Sequence, residues 1–166
     1  MKNTSSIKYL LTVVFILTAG FFNVNYAQQK FDKTEFYATM SQGDLPKIES
    51  ELEMVKASSL ANKDGYEGAL LMRKAGLVHG PKKKLGFFKE GRIKLETAII
   101  ADADNTEFRF LRLAIEENAP KIVKYKADIE KDKLFIQKNF KSQPQTVQHA
   151  IMEYCKKSKV LHAEDL

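Results

Sequence analysis

From Asp32 to Lys157 the apolar residues recur at spacings of three and four. Ile48, Leu52 and Val55 do so, as do Phe88, Gly91, Leu95, Ala98 and Ile99. A helix turns once every 3.6 residues, so this spacing lays apolar side chains along one helical face, whereas a half-buried strand needs strict alternation. Alternating runs rich in Val and Thr are few. Lys, Glu, Leu, Ala and Ile dominate instead, and these residues lose little on entering a helix. The expected fold is therefore all-α.

The breaks between periodic stretches set out a series of helix hairpins. The first runs from Asp32 to about Ser59, with Phe36 and Met40 on its leading helix. Gln42-Gly43-Asp44 makes the turn: glycine takes a left-handed conformation cheaply, Asp44 caps the return helix, and Pro46 falls in its first turn. The second hairpin starts near Lys63-Asp64-Gly65. Its leading helix ends at Gly76, and its long return helix spans about Lys82 to Ala101. Gly91, inside that helix, costs about 1 kcal/mol relative to alanine, which a close approach by a neighbouring helix offsets.

The third hairpin opens at Asp104-Asn105-Thr106-Glu107, where Asp104 and Glu107 have the spacing of a capping box. Its leading helix, Glu107 to Asn118, is apolar on more than one side, as a central buried helix is. Pro120 ends it, and a return helix is expected from about Lys121 to Phe140, carrying Ile122, Tyr125, Ile129, Ile136 and Phe140. A last helix runs from Gln145 to Lys157. Residues 158–166 read as a flexible tail to a single domain, 28–157.

Gly43 and Gly76 lie 33 residues apart, close to the period of tetratricopeptide hairpins. Met40-Ser41-Gln42-Gly43-Asp44-Leu45 resembles the turn between the two helices of such a repeat. Leu95-x-x-Ala98-Ile99-Ile100-Ala101-Asp102-Ala103-Asp104-Asn105 resembles the end of a second helix and the loop to the next unit. Leu113-Ala114 then matches the large and small pair of the next first helix. Ala103 stands where the repeat carries its loop proline, and Arg109 where it carries an aromatic residue. The resemblance covers about two thirds of residues 28–166. It implies a right-handed stack of about three helix hairpins plus a C-terminal helix, with a concave surface suited to protein or peptide partners.

The N-terminus has the form of a secretory signal peptide. Lys2 and Lys8 precede an uncharged, mostly apolar run, Tyr9–Phe22, and polar Asn23, Asn25, Gln28 and Gln29 follow. The run is shorter than the roughly 20 residues a spanning helix needs. Cleavage is expected after Ala27, although Asn25 sits where a small residue is preferred; the alternative is an uncleaved signal anchor. The expected location is periplasmic or secreted. Loss of Lys2 and Lys8 lowers the net formal charge from +6 to +4, a mild excess that makes no case for nucleic acid. Cys155 is the only cysteine, so no internal disulfide staples the domain. It lies on the stripe Val147, Ile151, Tyr154, which reads as a core position; a reactive thiol is the alternative.

No catalytic constellation stands out. Asp102-Ala103-Asp104-Asn105 invites a calcium loop, but the sixth position is Glu107 and the twelfth Leu113, so the required glycine and glutamate are missing. His79, His149 and His162 lack the spacing of metal ligands. No metal or cofactor is expected. Two clusters remain. Arg109, Arg112 and Glu116 share one face of the central helix, with Glu90 and Glu96 in reach from the preceding helix. They read either as surface ion pairs or as a polar patch whose arginine forks grip a carboxylate or peptide terminus. Lys82, Lys83, Lys84 and Arg92, with Phe87 and Phe88 between them, read as a solvated basic face or as a patch for anionic lipid, nucleic acid or acidic glycan, nucleic acid being disfavoured by the expected export.

The leading functional expectation is an exported module that binds another protein or peptide of the cell envelope. A small-ligand carrier or enzyme with a core site around Arg109 and Arg112 is the first alternative, and peripheral membrane binding the second.

Overall fold

The computed structural model describes residues 31–166, so the expected signal peptide lies outside the described residues. Seven α-helices form there: α1 Lys33–Gln42, α2 Leu45–Ala57, α3 Lys63–Leu77, α4 Pro81–Ala101, α5 Thr106–Asn118, α6 Ile129–Asn139 and α7 Gln145–Cys155. Among the described residues there is no strand, as the periodicity requires.

The first hairpin is built as its sequence dictates. Asp32 caps α1 by accepting from the Thr34 N–H at 2.7 Å, and Asp44 caps α2 by accepting from the Lys47 N–H at 2.9 Å. Gly43 joins them with φ +69°, a left-handed conformation that carries no steric cost only in glycine. The second hairpin is the most intimate pairing. A Cβ on Gly68 would lie 2.6 Å from the Leu95 nitrogen, and one on Gly91 would lie 2.5 Å from the Gly68 carbonyl. The two backbones touch, which explains glycine in the middle of both helices.

α5 divides the interior. Phe108 and Leu111 enter a core shared with Phe36, Ile48, Leu70 and Leu95, while Phe110 and Leu113 enter a second core with Ile136, Val147, Ile151 and Leu161. A helix with a core on each side must be apolar on more than one face, and this one is.

The structure corrects four expectations. Lys121 to Phe140 is not one helix. A single 3-10 turn, Lys121–Val123, gives way to irregular chain before α6, because Lys124 takes φ +49° and Tyr125 turns inward to bond Glu96. Ile122 is accordingly exposed. The cap of α5 is Asn105, which accepts from the Phe108 N–H at 3.0 Å, and not Asp104. The tail is docked: Glu117 accepts from the Ser158 hydroxyl and the Lys159 N–H, and Leu161 is fully buried. Finally, Gly76 lies inside α3, and the left-handed glycine of that hairpin is Gly80, with φ +89°. The positive-φ glycines of the first two hairpins are therefore Gly43 and Gly80, 80 − 43 = 37 residues apart. α1 also packs against α7, whereas in a solenoid each repeat touches only its neighbours.

Candidate functional site

Arg109 and Arg112 come together as the sequence suggests, but inside the protein. Their side chains are 8% and 5% exposed, and the carboxylate between them, Asp132 on α6, is fully buried. Arg112 donates to Asp132 through Nε at 2.7 Å and Nη2 at 2.8 Å, and through Nη1 to Glu96 Oε2 at 2.8 Å. Arg109 donates to Asp132 Oδ1 at 3.1 Å and twice to the Ala103 carbonyl, and its guanidinium lies 4.2 Å from the centre of the Phe135 ring. Burial opposes the charge on Arg112, but Asp132 outweighs it and holds the guanidinium ionised. The forks are thus spent on the protein's own groups. Among the described residues the two arginines and Asp132 form an internal strut between α5 and α6, and the donors expected to grip an outside carboxylate are engaged within the fold.

Glu116 closes the strut from below. It is fully buried, with Oε2 accepting from the Asp128 N–H at 3.1 Å and Oε1 without a partner. Burial pushes its pKa up. Of the two glutamates expected near the arginines, Glu96 is in place, whereas Glu90 is exposed and lines a separate cleft.

Several interior carboxylates escaped the sequence reading, Asp132 and Glu107 among them. Asp132 was traceable, because it sits at the apolar spacing of Ile129 and Ile136, and a carboxylate on a buried stripe needs a cationic partner. Glu107, at the spacing of a capping box, is a hub instead. It accepts from Lys33 Nζ at 2.6 Å, the Tyr37 hydroxyl at 2.7 Å and the Tyr66 hydroxyl at 2.9 Å, tying α1 and α3 to α5. Burial first, then the Glu107 charge, raises both phenol pKa values, so the hydroxyls stay protonated and keep donating.

The basic residues of α4 do not form one patch. Lys82, Lys83 and Lys84 are exposed in its first turn, while Arg92 lies over the Tyr125 ring at 4.8 Å. Phe88 is buried, and Phe87 packs beneath Lys74 Nζ at 4.5 Å. The phenylalanines that would have met a membrane face inward. Lys83 borders a cleft of about 620 Å³, and Lys84 borders a larger one. Among the described residues no group of three or more His, Cys, Asp or Glu is arranged to hold a metal ion, and no helix is long and apolar enough to cross a membrane.

That larger feature is a half-open groove of about 1070 Å³ framed by α1, the end of α3, the start of α4, α5 and α7. Its floor is apolar, formed by Met40, Met72, Phe88, Phe110, Leu111 and Ile115. Its walls carry Ala38, Ala75, Ala114, Ala119 and Ala150. Where five helices converge, short side chains leave a trough that leucines would have filled. The lip is polar and carries Arg73, Lys84, His149, Glu153, Tyr154 and Lys157. An apolar concavity with a few polar groups at its edge is the usual form of a binding site. The sequence reading missed it because alanine reads as a helix former, and its depth depends on which helices meet. None of Arg109, Arg112 and Glu116 lines it.

No family model, no curated protein and no solved structure matches this chain.

Proposed function

We propose that this protein is an exported binding module whose groove receives the apolar face of another polypeptide segment. The observation that carries the reading is the groove between α1, α3, α4, α5 and α7, about 1070 Å³ in volume with an apolar floor. Pockets for drug-sized ligands span about 300–1,000 Å³, so this trough lies just above that range. A helix about 10 Å across fills roughly 120 Å³ per residue, so the groove encloses about nine residues, or about twice that number lying half-sunk. That matches the way an amphipathic helix beds into a hydrophobic groove. The largest apolar patch on a monomeric protein is often functional.

The leader-like residues 1–27 support export and an envelope location for the partner. The hairpins α1–α2 and α3–α4 support a reading of the fold as stacked helix pairs of tetratricopeptide type, although the α1–α7 contact goes beyond such a stack. The inward-facing Phe88 and half-buried Phe87 give the membrane reading little support.

The test is site-specific photocrosslinking in the producing cell. A benzophenone side chain replaces Ile122, which is exposed at the groove, or Ile93, which is exposed on the far side of α4. Adducts of discrete polypeptide mass at position 122 and none at 93 are expected. Equal adducts at both positions, or none at either, would count against the proposal.

A further inference from the structure

We infer that the segment received by the groove is an acidic amphipathic helix, with carboxylates flanking its apolar face. The inference rests on the binding role proposed above and adds the chemistry of the partner. Three cations stand on the lip, each on a different element: Arg73 on α3, Lys84 on α4, and Lys157 just beyond α7. Among the described residues none of the three forms an ion pair, whereas Lys33, Lys74, Lys94, Arg109 and Arg112 all do. The one acid on the lip, Glu153, is already 2.6 Å from Lys156.

Arg73 is the most informative of the three. Its Nε donates to the Met40 carbonyl at 2.9 Å, which anchors the half-buried side chain at the groove edge. Neither Nη has an acceptor among the described residues. The guanidinium is held by the Met40 carbonyl and by the packing of Nη2 against Gly43, so its unpaired Nη groups are fixed in position to meet a carboxylate.

The sign of the charge selects among occupants. The chain's own leader is apolar enough to enter, but it brings Lys2 and Lys8, which repel this lip. A second copy carries the same net positive charge. A long-chain carboxylate offers one anion to three separated cations and leaves two of them unmatched. A helix with glutamates along both margins of an apolar stripe meets all three at once, and such complementarity chiefly governs partner choice and encounter rate.

The experiment measures fluorescence anisotropy of the purified protein with three labelled peptides of about 18 residues, long enough for five turns. They share one leucine and alanine face and carry Glu, Gln or Lys on the other. The Glu peptide is expected to bind about tenfold tighter than the Gln peptide, with the advantage falling as salt rises to about 0.5 M. Arg73→Gln should remove most of that advantage and leave the Gln peptide unaffected. Because Arg73 also holds the Met40 carbonyl, the exposed pair Lys84→Gln and Lys157→Gln serves as a second variant with the same expectation. Lys82→Gln with Lys89→Gln, exposed cations off the lip, should change nothing. Equal binding of Glu and Gln peptides, or an equal loss in the Lys82 and Lys89 variant, overturns the acidic preference and leaves the groove reading standing. If no peptide binds while oleate does, both readings fall.

Discussion

Replacing Asp132 with alanine removes the carboxylate that holds two buried guanidinium groups. Asp132 accepts three hydrogen bonds, two from Arg112 and one from Arg109, and is itself inaccessible to water. Hydrogen bonds to charged groups contribute roughly 1.5–3 kcal/mol each, which sets an upper range of about 5–9 kcal/mol. The arginines keep part of their shell, since Arg112 retains Glu96 and Arg109 retains the Ala103 carbonyl. Breaking a buried pair from one side typically costs about 3–5 kcal/mol, because the charge left behind is uncompensated. The expected loss is therefore about 4 kcal/mol. For a domain of this size each kcal/mol moves Tm by about 3–4 °C, so Tm should fall by about 14 °C. Urea denaturation followed by helical circular dichroism at neutral pH measures it. The triple variant Arg109→Met, Arg112→Met and Asp132→Leu should recover much of the loss, since an apolar replacement of all three charged groups removes the desolvation penalty. A loss below about 1 kcal/mol in Asp132→Ala would mean that water reaches the arginines, and the internal-strut account would be wrong.

Three further outcomes follow from the same interior. Glu51 is buried with one oxygen unpartnered; burial, aided by Glu35 and Asp32, pushes its carboxyl up to about 7. A carboxyl raised above its unfolded value adds stability below about pH 4.5 that drains away as pH climbs through 7, so Glu51→Gln should gain roughly 1–3 kcal/mol at pH 8 and almost nothing at pH 4, as read from paired urea titrations. Gly91→Ala should destabilise by about 1–3 kcal/mol despite alanine's better helix propensity, because its Cβ would meet the Gly68 carbonyl at 2.5 Å; a Tm equal to or above the parent's would contradict the backbone contact. Burial pushes the Cys155 thiol up to about 11, so iodoacetamide at pH 8 should label it slowly in the native protein and quickly in urea, as followed by intact mass.

Much of this architecture was legible in the residues. Caps and turns are local chemistry: Gly43 and Asp44 act within a few residues of themselves, and they were readable one at a time. The apolar periodicity marked α5 as central because a helix between two cores must be apolar on several sides. Glu107 misled, since a glutamate three residues into a helix looks the same whether it caps the backbone or collects hydroxyls from α1 and α3. Residues 121–128 misled too: the apolar Ile122 and Tyr125 sit at helical spacing, yet one faces solvent and the other fills a core.

The sequence by itself determined that this chain is helical, where most of its helices begin and end, and that its core must hold without a disulfide. Those properties depend on neighbours along the chain. Only the tertiary structure decided that Arg109 and Arg112 spend their charge on Asp132, that the tail is docked through Glu117 and Leu161, and that five alanines on four helices and a loop open one apolar groove. Each of these depends on residues far apart in the chain meeting in space, and an amphipathic pattern states only that a face will be covered, not what will cover it.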